Sequence, residues 1–298
     1  VLADPLRAQP LFRYRFSGSR GNIFPALLRL APLVVTILLS GFSSNSAYAT
    51  TIVVARTASE IVIGADSKVT DTYGNDLNRR ACKILQVGSL FIAFEGLEID
   101  RQTGFSVPEI ALMAFQLRPS APATEKASIL TGFLVSRLFD ELPQLKKRAP
   151  ETYTKKIEGG QIFLRIIVGG FERGRPLIFV RNFRAIQLSP QQIGVSVIPD
   201  DCLADCHADV VTRFLGETAA IDGLPEETPG FWQQGLINGV RRLVETEIAA
   251  RSEYVGPPID ILRIDKNGAQ WIQKKPECAQ TPNRQKGPNR PVAGKRRD

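Results

Sequence analysis

A free N-terminal threonine carries a nucleophile and a base in one residue. Its hydroxyl can attack a carbonyl, and its α-amine, with an unperturbed pKa of about 7.7–8.0, can take the proton that other hydrolases pass to histidine. Thr50 would be such a residue if the chain were cut after Ala49. No histidine is needed, which suits a chain of 298 residues holding a single one.

The processing that would expose Thr50 is written in the first 49 residues. Arg13, Arg15, Arg20 and Arg29 form a positive segment, Leu30 to Leu39 an apolar one, and Ser43 to Ala49 a polar end closing on Ala47-Tyr48-Ala49. That order is the one of a secretory signal, and its apolar part is shorter than the roughly 20 residues that span a bilayer. Residues 1–49 are therefore expected to be a signal with an upstream extension, the mature protein to be exported to the periplasm or medium, and no stable membrane anchor to remain.

Charge supports this division. The whole chain is at +8. Residues 1–49 carry +4, residues 274–298 carry +6, and the stretch between is at −2. A near-neutral centre gives no electrostatic footprint for nucleic acid, so none is expected as a partner. The last 25 residues, poor in apolar side chains and rich in Pro, Gly, Asn and basic residues, are expected to be a disordered tail. With one His, a multi-His metal centre within one chain is excluded. Cys202-x-x-x-Cys206-His207 matches neither a haem nor a paired zinc pattern, so no metal and no cofactor is expected. Four cysteines in an exported chain permit disulfides, and sequence leaves all three full pairings open.

The elements that must position the site follow from apolar periodicity. Thr51–Arg56 and Ile61–Asp66 read as a hairpin across Ala58-Ser59, and Lys83–Val87 and Leu90–Phe94 as another across Gly88-Ser89. One helix is predicted from Ser106, with Pro108 and Glu109 in its first turn. A second carries Ile129, Phe133, Leu134 and Leu138 after a Thr124 cap and ends at Pro143. Ile162–Phe171 and Leu177–Arg181 form a long hairpin. Helices are expected over Ala204–Leu215 and Phe231–Arg251, and strands over Ile259–Ile264 and Ala269–Gln273. Antiparallel pairs in two blocks with helices between them favour an α+β fold of two sheets packed face to face with helices outside, over residues 50–273.

Three segments together resemble the start of mature proteasome β subunits and their bacterial proteasome-like relatives, which are N-terminal nucleophile (Ntn) hydrolases. They are Thr50-Thr51-Ile52-Val53-Val54, then Gly64-Ala65-Asp66-Ser67-Lys68-Val69-Thr70, then Arg79-Arg80-Ala81-Cys82-Lys83-Ile84. Ile166–Phe171 and the stretch Gly256-Pro257-Pro258-Ile259-Asp260-Ile261 through Trp271 continue the likeness. The resemblance implies a four-layer αββα sandwich, an amide (peptide or smaller acyl-amide) substrate and an oligomer, with Thr50 as nucleophile and base and with Asp66, sixteen positions on, and Lys83 as its catalytic partners: Lys83 would place positive charge beside the amine and lower its pKa, and Asp66 would orient that lysine rather than accept the proton. It also implies a backbone oxyanion hole near Ile92-Ala93-Phe94-Glu95-Gly96, at Phe94 or, preferred, Gly96. Two positions depart from the family. Val255 stands where a supporting serine is expected, and Ile198-Pro199-Asp200-Asp201-Cys202 lacks a supporting Ser-Gly. A catalytically silent Ntn-fold binding or scaffold protein is thus the alternative to a hydrolase.

Overall fold

The computed structural model describes residues 50–70, 76–100, 102–189, 192–202 and 209–279. The expected signal (1–49), the first part of the helix expected from Ala204, the Cys206-His207 pair and residues 280–298 lie outside the described residues. In chain order the elements begin with β1 (Thr51–Arg56), β2 (Glu60–Ala65), β3 (Lys68–Thr70) and β4 (Asp76–Arg80). Next come β5 (Ile84–Val87), β6 (Leu90–Gly96), β7 (Ile99–Asp100), β8 (Phe105–Ser106), α1 (Val107–Leu117), α2 (Ala123–Arg148) and α3 (Pro150–Lys156). Then follow β9 (Ile162–Glu172), β10 (Arg175–Ser189), β11 (Gln192–Pro199), β12 (Val211–Gly216), α4 (Leu224–Glu227) and α5 (Leu236–Ala250). The chain closes with β13 (Asp260–Asp265), β14 (Gly268–Gln273) and α6 (Pro276–Ala279). Among the described residues no helix is long and apolar enough to cross a membrane.

Two five-stranded antiparallel sheets carry the fold, one ordered β12-β1-β2-β13-β14 and the other β11-β10-β9-β6-β5. Strand alternation assigns their side chains to separate cores. On β1, Ile52 and Val54 meet Phe91, Ala93, Ile167, Ile178 and Val180 of the opposite sheet, while Val53 and Ala55 meet Val240, Leu243 and Val244 of α5. On β6, Leu90, Ile92 and Phe94 turn the other way, onto Leu130, Leu134 and Leu138 of α2. The result is a sandwich of two antiparallel sheets flanked by helices. β1 is buried at every position, which explains why it reads as a continuous apolar run rather than an alternating one.

Several sequence expectations are corrected. The α2 cap is Pro122, not Thr124, because the Thr124 amide and hydroxyl both donate to Glu172 Oε2, at 3.2 and 3.1 Å. Pro143 lies inside α2, which runs on to Arg148. An interior proline costs about 3 kcal/mol. Here the burial of Leu138, Leu142 and Leu145 offsets it, and Lys146, Lys147 and Arg148 complement the negative helix end. Residues 211–215, expected in a helix, form β12 instead. Tertiary pairing decides this, since β12 covers the edge of β1 from Thr51↔Gly216 to Arg56↔Val211. Helix α5 starts at Leu236 because Gly235 adopts φ 84°, leaving Trp232 in a separate 3₁₀ turn, Phe231–Gln234. Residues 274–279, expected in the tail, belong to the folded unit: Lys275 is buried and Cys278 is disulfide-bonded to Cys82, 196 residues away. On a chain-entropy model a loop that long contributes about 5 kcal/mol. No described cysteine is free.

Gly64, on β2, sets how closely α5 approaches the strand that leads to Asp66. A Cβ there would fall 2.6 Å from Val240 Cγ1 and 3.3 Å from Val244 Cγ2. Both neighbours are helical valines with little rotamer freedom. Gly64→Ala is expected to lower unfolding free energy by about 1–3 kcal/mol through overpacking, measured by denaturant titration. An unchanged midpoint would show that α5 shifts freely.

Candidate active site

The site lies where β1 begins. Thr50 is half-buried just before the strand, and its carbonyl accepts from the Glu217 amide at 2.7 Å. The hairpin register sets Asp66 against Thr51, since Ile52 pairs with Ala65. The Asp66 amide donates to the Thr51 carbonyl (3.1 Å), and the Thr51 amide donates to Asp66 Oδ1 (2.8 Å). Lys83, immediately before β5, brings Nζ to 2.6 Å from the same Oδ1. The structure thus brings Asp66 and Lys83 together at the strand end that carries Thr50.

Asp66 is fully buried, yet its second oxygen is also satisfied. Oδ2 accepts from the amides of Lys68 (3.0 Å) and Gly256 (3.1 Å). Four donors on one carboxylate make burial of its charge tolerable. Through the Gly256 contact the segment around Val255 supports the Asp66 carboxylate. It does so through backbone, with the Ser67 amide returning a bond to the Gly256 carbonyl (2.9 Å) and Lys68 Nζ holding the carbonyls of Ser252 and Glu253 at 2.8 and 2.9 Å. Ile198 and Pro199 end β11, paired with Asn182 and Arg181 of β10. The strand beside Thr50 is β12, and Gly216 and Glu217 are the residues that meet the N-terminal edge. A Cβ on Gly216, which has φ +84°, would lie 1.6 Å from the Thr50 carbonyl oxygen.

Gly96 ends β6 with φ +101°, where a Cβ would lie 2.2 Å from the Phe163 carbonyl oxygen, so only glycine fits. It is linked to the site through its neighbour Glu95, whose Oε2 accepts from the Gly216 amide at 2.6 Å and sits 3.7 Å from Arg165 Nη1. Arg165 is held in turn by Asn182 (2.8 Å). On the far side, Thr51 Oγ1 donates to the Glu217 carbonyl at 2.7 Å, and Arg251 lies 3.6 Å from the Glu217 carboxylate.

No protein-family model and no curated protein matches this chain. The geometry therefore carries the reading of the site by itself.

Its electrostatics are set mainly by burial. Desolvation pushes the Lys83 pKa below the ordinary lysine value, against the attraction of and hydrogen bond to Asp66; Lys275 pushes the same way as burial and Glu98 opposes it. Burial likewise raises Glu98, opposed by Lys83. Glu95 is raised by burial and by Glu217, against Arg165 and the Gly216 amide. Glu95, Glu217, Arg165 and Lys275 were not identified from sequence. Only Glu95 left a trace there, as a carboxylate closing the apolar run Leu90–Phe94. Among the described residues no cluster of His, Cys, Asp and Glu could hold a metal. Cys202 lies in the inter-sheet core, where Arg56 Nη1 donates to its Sγ (2.6 Å) and its carbonyl (3.2 Å).

Because Glu95 has a folded-state pKa above its unfolded value of about 4.3, the folded state holds the extra proton just above that pH. Its contribution to stability is then lost as pH rises through the raised folded pKa. Glu95→Gln keeps an acceptor for the Gly216 amide and removes the titration. Melting temperature followed from pH 4 to 8 is expected to fall less steeply in the variant. An identical slope would show that Glu95 titrates normally.

Proposed function

We propose that this chain is an exported N-terminal-threonine hydrolase with a four-layer αββα Ntn fold, cleaving amide bonds in a peptide or acyl-amide substrate through an acyl-enzyme on Thr50. The observation that carries the reading is Asp66 Oδ1, which accepts at once from the Thr51 amide and from Lys83 Nζ. One buried carboxylate ties the nucleophile's strand to the only cation the mechanism requires. Strand β1 starts at Thr51, so a cut after Ala49 would free the Thr50 amine and leave every strand bond of β1 in place.

In this mechanism the Thr50 hydroxyl attacks the substrate carbonyl carbon while the Thr50 amine accepts its proton, and the amine then returns it to the leaving nitrogen. The acyl ester on Oγ is hydrolysed by water activated by the same amine. Lys83, fixed by Asp66, keeps positive charge near the amine and lowers its pKa. Backbone amides, with Gly96 as the preferred donor, would stabilise the oxyanion. No cofactor enters, and a homo-oligomer is the assembly the family likeness supports.

N-terminal sequencing of secreted protein is expected to start at Thr50, and a β-lactone electrophile to form an adduct on that residue. A different mature start, or no adduct, would sink the mechanism. Lys83→Met and Asp66→Asn are each expected to lower amidase turnover by on the order of 100-fold or more, measured against Thr50→Ala as the blank.

A further inference from the structure

The strap Lys274–Ala279 ends on the loop that bears Lys83, and it brings a second buried lysine with it. The Lys275 side chain is completely enclosed. Its Nζ lies 2.8 Å from Asp260 Oδ2 and donates to the Ala81 carbonyl at 2.5 Å, while its amide donates to Asp260 Oδ1 at 2.8 Å. Three residues along the strap, Cys278 is bonded to Cys82, next to Lys83. The segment 81–83 is therefore gripped twice from one side, once by charge and once by covalent bond. Lysine is seldom fully buried, and an ammonium can be replaced by packed apolar atoms at little or no loss of stability when its partner goes with it.

We propose that Lys275 is a positioning residue for Lys83: it fixes the Ala81–Lys83 backbone through the Ala81 carbonyl and sets a second positive charge toward the ammonium that Asp66 holds. This rests on the reading of Lys83 as the cation of the site. Charged groups facing Lys83 include Asp66 from the end of β2, Glu98 beyond β6 and Lys275 from the strap. The two carboxylates favour the ammonium, and Lys275 opposes it as a like charge. Lys275 thus limits how far into the alkaline range Lys83 stays protonated, and Asp260, at the start of β13, limits how strongly Lys275 does so.

The test is an NMR titration of the mature chain labelled at lysine Cε, with the Lys83 signal assigned by its loss in Lys83→Met. Lys275→Met is expected to move the Lys83 titration to higher pH, and Lys275→Arg to leave it at the wild-type position. Should Lys275→Met fail to fold with Asp260 left buried and unpaired, the double variant Asp260→Asn/Lys275→Met removes both charges and is expected to give a smaller movement in the same upward direction. The alkaline limb of amidase turnover should move up in parallel, a displacement that a purely structural strap would not cause. A folded Lys275→Met or double variant whose Lys83 titrates as in wild type overturns the proposal, as does wild-type Lys83 titrating as an ordinary exposed lysine. Adduct formation at Thr50 is scored separately, so failure of the threonine mechanism leaves the lysine result readable.

Discussion

The structure turns on one buried carboxylate. Asp66 has no exposed surface, and its two oxygens accept from the Thr51, Lys68 and Gly256 amides and from Lys83 Nζ. These four donors come from the start of β1, the start of β3, the loop before β13 and the loop before β5. An ionised carboxylate without them would be untenable in this interior. Asp66 therefore makes the arrangement of all four a condition of folding. The candidate chemistry inherits its geometry from that condition, because the same oxygen that meets the N-terminal strand also meets the lysine.

The rest of the molecule keeps this point rigid. β1 and β2 are covered on one face by the second sheet and on the other by α5, so neither strand can shift without disturbing two cores at once. Close approach at Gly64 and Gly216 lets α5 and the end of β12 press against the hairpin. β12 also closes the edge that β1 would otherwise present; Gly216 at its end and Glu217 just beyond supply the amides that meet Glu95 and Thr50. Thr50, half-buried just before a fully buried strand, combines partial exposure with a fixed backbone.

Charge around the site is arranged against solvent rather than with it. Burial lowers Lys83 and raises Glu95 and Glu98, and each shift is opposed by a neighbour of opposite sign. Lys83 lies between two carboxylates and one ammonium, so its protonation depends on residues from the first and last parts of the described chain. The Cys82–Cys278 bond and the Lys275–Asp260 pair bring those parts together.

Much of this was legible in the sequence because it is local. Alternation and β-branched runs located the hairpins β1–β2, β5–β6 and β9–β10, Ser106 and Pro108 marked the start of α1, and the sequence singled out Asp66 and Lys83, which the fold pairs at the strand end carrying Thr50. What was misread depends on distant neighbours. Residues 211–215 are compatible with helix by local pattern and become a strand because β1 has an open edge. Pro143 stays helical because leucines on either side of it are buried. Glu217 and Lys275 look like solvated charges until the fold encloses them, and Cys82 found Cys278 across 196 residues that no local pattern spans. Sequence alone determined which residue types and short elements were available, since propensity and periodicity act over a few residues. Only the tertiary structure decided which carboxylate, amide and ammonium share an interior, because desolvation and pairing act between segments that the chain itself keeps apart.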